Sequence, residues 1–90
     1  MKTGIELITE ERTRQIEKEG WTPSHDDNHD NGELAGAGAC YALWNWSRTD
    51  AERLFPFNTE WLKTSDDQIR NLTKAGALIA AEIDRLKRLK

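Results

Sequence analysis

Ile69, Leu72, Gly76, Ile79, Ile83 and Leu86 recur at alternating steps of three and four along the last third of the chain. Strand residues alternate faces with a period of two, so this spacing commits the segment to a helix with one apolar seam. Ser65-Asp66-Asp67-Gln68 reads as the capping box that opens it, with two acids in the first turn. Arg85, Lys87, Arg88 and Lys90 gather at the far end, where the helix dipole favours cations.

No other segment shows strand-like alternation, so the whole chain is read as helical. Thr3-Gly4-Ile5-Glu6 is a further capping box, and Ile5, Ile8 and Ile16 share one side of a helix predicted over 5–19. Arg12 interrupts that row, four residues from both Ile8 and Ile16. Its guanidinium therefore meets the core, and it either snorkels to solvent or pairs with a buried carboxylate, for which Glu33 and the nearby aspartates are the local candidates. Gly20 ends the helix, and Pro23 biases Thr22 to extended geometry, which predicts a loop over 20–31 with one helical turn starting at Ser24.

Asp30 or Asn31 is expected to cap a helix over 33–48, in which Leu34, Ala37, Tyr41 and Trp44 form a stripe widened by Cys40 and Leu43. Within it, Ala35-Gly36-Ala37-Gly38-Ala39-Cys40 has little bulk. Each glycine costs a helix about 1 kcal/mol against alanine, so close approach by another helix or a ligand is the expected compensation. Residues 48–64 carry Leu54-Phe55-Pro56-Phe57 and Trp61-Leu62. Proline excludes a regular helix through the middle, and the aromatics predict a connection folded back over the helices. The expected fold is a single all-α domain, 1–90, of three main helices, with an aromatic, proline-containing loop between the second and third.

Ninety residues bury only about 60 to 65% of the surface their unfolded chain exposes, so a homo-oligomer, a dimer above all, is expected. The seam of the last helix and the small-residue face of the second are its natural contacts. A net charge of −3 argues against general nucleic-acid binding. Cys40 is the only cysteine, which excludes an intrachain disulfide, and its small apolar neighbours make it a buried, inert thiol. With no signal-like apolar run and no apolar stretch of about 18 residues, a cytoplasmic location without membrane insertion is expected.

The densest chemistry lies between Gly20 and Leu34, which holds both histidines together with Asp26, Asp27, Asp30 and Glu33. His25, His29 and Glu33 stand at four-residue steps, a two-histidine, one-carboxylate set suited to zinc or manganese. The His-Glu-x-x-His order of zinc peptidases is absent, and the Asp26, Asn28, Asp30 opening of an EF-hand fails because Asn31 replaces the turn glycine and Ala37 the terminal glutamate. The carboxylate pairs of magnesium-dependent nucleotide pyrophosphohydrolases are also missing, since Gly36 stands three after Glu33 and the acids Glu6, Glu10, Glu11, Glu17 and Glu19 are expected to face away from the apolar stripe. Trp21 offers a flat face for stacking, whereas Trp44 and Trp61 are expected in the core or an interface. Arg70 and Lys74 align on the last helix and, with Arg12 or Arg14, could pin a phosphate where first and last helices pack together.

Glu19-Gly20-Trp21-Thr22-Pro23, His25-Asp26-Asp27, His29, Gly32-Glu33-Leu34, Cys40-Tyr41-Ala42 and 71–79, together with Glu11-Arg12-Thr13-Arg14-Gln15, resemble a family of small proteins carried by tailed bacteriophages and prophages. The likeness spans nearly the whole chain and is weakest in the middle, where Phe57, Leu62 and Thr64 replace an expected tryptophan, tryptophan and proline. Asn71-Leu72-Thr73-Lys74-Ala75 is also similar to the C-terminal helix of small phage proteins that sequester cyclic-nucleotide immune signals. The resemblance implies a phage accessory protein in the bacterial cytoplasm that binds a host protein or a host signalling nucleotide.

Three functions follow. The first is a binding protein with a ligand site formed by Arg12, Trp21, His25, Asp26, Asp27, His29, Glu33 and Lys74. The second is a metal-dependent phosphohydrolase acting on nucleotides, with His25, His29 and Glu33 as ligands and Asp26 or Asp27 as base. The third is an interaction protein in which the histidine and aspartate block merely clasps a loop.

Overall fold

The computed structural model describes residues 1–89, and every element in it is helical. Helix α1 spans Gly4–Lys18, α2 Pro23–Asp26, α3 Glu33–Leu43, α4 Arg48–Leu54 and α5 Gln68–Arg88, with a 3-10 turn at Thr59–Trp61. The class is as expected, but the three main helices are joined by shorter ones. The helical turn expected from Ser24 is α2, which begins one residue earlier at Pro23, whereas α4 and the 3-10 turn occupy a connection expected to be a loop. Helix α3 is also shorter than expected, because the chain turns at Trp44 and restarts at Ser47, whose hydroxyl accepts from the Asp50 amide at 3.3 Å.

The helix starts show which local signals act. Thr3 and Glu6 form the reciprocal capping box in full. Asp67, rather than Ser65, caps α5 by accepting from the Ile69 amide at 3.0 Å. Neither Asp30 nor Asn31 caps α3. Its N-cap is Gly32 in the left-handed region, φ +82°, and Glu33 reaches back to accept from the Asn31 amide at 2.6 Å.

Helix α5 is the spine, flanked by α1 on one side and α3 on the other, with α4 laid on α3. The small residues of α3 serve this packing. A Cβ placed on Gly38 would lie 3.1 Å from the Ala75 carbonyl oxygen and 3.2 Å from Ile79, so α3 and α5 approach backbone to backbone. Gly76 opens the same kind of room for Ile8 of α1. The close approach predicted for this stretch is thus made within the chain.

The core that results is small: Leu34, Ala37, Tyr41, Ala75, Leu78 and Ala81, with Trp21, Phe55, Phe57 and Leu62 packed against it. Polar residues fill much of the remaining interior and pair with one another or with the backbone. Asn71 exchanges two hydrogen bonds of 2.8 Å with the Ser65 backbone, and buried Glu82 accepts from Arg85 at 2.6 Å. The isoleucine row of α1 does not define its inner face. Ile5 is 79% exposed, while Glu11 and Gln15 are buried instead. No helix among the described residues is long and apolar enough to cross a membrane.

Candidate functional site

The polar block is folded inward by one ion pair. Asp26, at the end of α2, is 1% exposed and accepts from Arg12 at 2.6 Å, and the same guanidinium donates to the Trp21 carbonyl at 3.3 Å. Of the two expectations for Arg12, pairing with a buried carboxylate is the one observed. Thr22 caps α2 and Pro23 occupies its first turn, so a four-residue helix persists where propensity alone would not hold it. On the outside, Asp27 accepts from Arg88 at 2.7 Å, tying the loop to the end of α5.

With the loop held this way, Trp21, His25 and His29 form one wall of a cleft of about 500 Å³. The opposite wall is the segment that follows α4. Tyr41 fixes it, its hydroxyl accepting from the Lys63 amide at 3.0 Å, and Lys74 donates to the Lys63 carbonyl at 2.7 Å. Six rings then run in unbroken succession along the cleft. Trp21 stacks parallel to His25 at 6.0 Å, His25 meets His29 edge-on at 5.0 Å, and His29 meets Phe57 at 5.1 Å. Phe57 continues to Phe55 at 5.7 Å and Phe55 to Tyr41 at 6.4 Å, both edge-on.

The other end of the cleft is charged. Glu11 is buried there, with Arg14 gripping it by two nitrogens at 2.8 and 2.9 Å and Arg70 reaching it at 2.7 Å. Burial works against its ionisation, but the hydrogen bonds from Arg14 and Arg70 outweigh it and bring the carboxyl pKa down to about 2. Arg14 also binds Glu19 at 2.9 Å, and Lys74 sits 5.6 Å from the Tyr41 ring centre, its ammonium pushed below its usual range by burial and by Arg70. Arg14, Arg70 and Lys74 outnumber Glu11 and Glu19, so this end keeps positive charge. Arg70 pairs with Glu11 alone among the described residues, which leaves guanidinium donors free.

The residues expected to bind a ligand divide accordingly. Trp21, His25, His29 and Lys74 line the cleft. Arg12, Asp26, Asp27 and Glu33 do not, and they hold the loop from behind. As for the candidate metal set, His25 Nδ1 lies 3.3 Å from Asp26, and His29 Nδ1 lies 3.7 Å from Glu33. Among the described residues no three histidine, cysteine or acidic side chains are gathered as a metal cluster.

Other residues join the site, some expected there and some not. Of the two arginines expected to join Arg70 and Lys74, it is Arg14 and not Arg12 that does so, whereas Glu11, expected to face away, faces the interior. Phe55 and Phe57 complete the row of rings, and Trp61, expected in the core or an interface, is 62% exposed at the cleft rim, so it is not a core residue. Trp44 is half-buried under the Arg48 guanidinium. Cys40 is buried as expected, and burial raises its thiol pKa, which suppresses reactivity. Comparison with protein-family models, curated proteins and solved structures finds no match, so the functional reading rests on this geometry and on the sequence.

Proposed function

We propose that this chain is a binding protein whose cleft takes a nucleotide, the base lying among the rings and the phosphate at the Arg14, Arg70 and Lys74 end. The observation that carries the reading is the pairing, in one cleft, of a six-ring aromatic row with a cluster of three cations. A base has two apolar faces and is stabilised by stacking by about 1 to 3 kcal/mol, whereas a phosphate is matched by guanidinium forks. The volume of about 500 Å³ lies within the range of about 300 to 1,000 Å³ usual for small-ligand sites. Resemblance to phage accessory proteins supports a role in the bacterial cytoplasm, where withdrawing a signalling nucleotide would blunt a host defence.

Calorimetry against linear and cyclic mono- and dinucleotides tests this. Heat of binding with at least one of them is expected, weakened about tenfold or more by Lys74→Met, which removes a charge-assisted hydrogen bond of about 1.5 to 3 kcal/mol. No heat with any nucleotide would remove the small-ligand reading. Stoichiometric zinc or manganese in purified protein, with turnover of the bound nucleotide, would favour the hydrolase instead.

A further inference from the structure

The apolar seam of α5 is only partly covered within the described chain, where Gly38 of α3 approaches Ile79 and Ile8 of α1 packs on Gly76. Ile69, Leu72, Ile79, Ile83 and Leu86 are between 43% and 62% exposed, while the buried side of the same helix carries Asn71, Thr73, Ala75, Ala77, Ala81, Glu82 and Arg85 beside a single leucine, Leu78. The helix is inside out by the usual rule, its large aliphatics in water and its small and polar residues inside. Five side chains about half exposed amount to on the order of 400 Å² of apolar surface, the size at which a patch marks an interaction site and about half of what each partner contributes to a standard interface.

We propose that the seam is the interface of a two-fold dimer of this chain, with the two α5 helices antiparallel. The occupant is a second copy because the need for cover is permanent. A core of two leucines, a tyrosine and three alanines is too poor for a partner that comes and goes, and the missing aliphatic burial lies on this face. The heptad period suits a helix crossing its own image, with both copies offering the same knobs. Gly76, the small position in the row, is already filled by Ile8 of the same chain, so Ile8 continues the interface onto α1.

Charge selects the direction. Arg85 is buried against Glu82 and Arg88 is held by Asp27, so Lys87 is the cation that the last turn of α5 presents without an ion pair among the described residues, while Asp66 and Asp67 stand at the other end. Antiparallel pairing opposes the helix dipoles and brings Lys87 of each copy toward the acidic start of its partner's helix, whereas parallel pairing aligns the dipoles. Arg70, Lys74 and Leu78, the α5 residues that line the cleft, lie on the other side of the helix from the seam. The dimer therefore leaves both clefts open, and the inference does not depend on what they bind.

Sedimentation equilibrium of the wild-type chain is expected to give twice the 10.3 kDa chain mass, with a melting temperature that rises with protein concentration. Leu72→Glu with Ile79→Glu should lose the dimer. Because that variant could also fail to fold, single cysteines supply the second test. A mixture of Ile69→Cys and Leu86→Cys chains should cross-link under mild oxidation, whereas Leu86→Cys alone should not. A folded wild-type monomer at all concentrations, or cross-linking confined to Leu86→Cys alone, would overturn the proposal.

Discussion

Glu11 is the residue on which the charged end of the cleft turns, and its chemistry fixes a pH dependence. Its pKa is lowered on folding, from an ordinary value of 4.5 to about 2, so the unfolded chain binds the proton more readily. The stabilisation is present above pH 4.5 and is lost as pH falls toward 2. Urea titrations at a series of pH values should show that loss in the wild type and a flatter profile in Glu11→Gln. At neutral pH that variant should be less stable by about 2 kcal/mol, because two partly exposed guanidinium groups lose a charged acceptor. Asp26→Ala is expected to cost more, about 3 to 5 kcal/mol, since Arg12 is then left largely buried without its partner. The same denaturant series measures it. Arg12 is legible in the sequence because a cation within an isoleucine row stands out. Glu11 is not, because an acid paired in the interior has the same one-dimensional signature as an acid in water. Its spacing of three from Ile8 and four from Gln15 is the one signal the sequence offers.

At the level of the elements, two glycines two residues apart within α3 have opposite roles. Gly38 faces the Ala75 carbonyl and Ile79 at just over 3 Å, so Gly38→Ala must push α3 from α5. Overpacking of about 1 to 3 kcal/mol should exceed the helix-propensity gain of about 1 kcal/mol, giving a net loss. At Gly36 an added methyl would meet only Pro56, at an ordinary contact distance of 3.6 Å, so Gly36→Ala should stabilise by up to about 1 kcal/mol. Thermal melts of the two variants, shifting in opposite directions, check the helix contact. Capping chemistry makes the start of α1 readable nearly to the residue, and that of α5 to within two residues, because Asp67 caps it in place of Ser65. Helix α4 escapes a sequence reading because Pro56 disqualifies the whole connection, although Ser47 opens a helix that ends at Leu54, ahead of that proline. Helix α3 starts at Glu33 as expected, but its cap is misassigned for a different reason, since a glycine in a left-handed turn there displaces the side-chain caps offered by its neighbours.

For the molecule as a whole, helical periodicity and the absence of alternation are enough to give the class. The cleft is only half visible. Its first wall is one short stretch of sequence, Trp21 to His29, but the second comes from Phe55 and Phe57 and the charged end from Glu11, Arg14, Arg70 and Lys74. Helix spacing aligns Arg70 with Lys74 and offers Arg14 as a partner, but the burial of Glu11 among them and their meeting with the row of rings leave no mark in a local pattern, and only the packing of α1 and α3 against α5 brings them together. The proposed function stands or falls on that convergence being a ligand site. Aromatic proton spectra of the chain with and without saturating nucleotide examine it most directly. Shifts confined to Trp21, His25, His29, Tyr41, Phe55 and Phe57, with contacts from their rings to the base protons, are the predicted result. Rings that stay unmoved at saturation, or shifts that fall on the outer face of α5 instead, would contradict it.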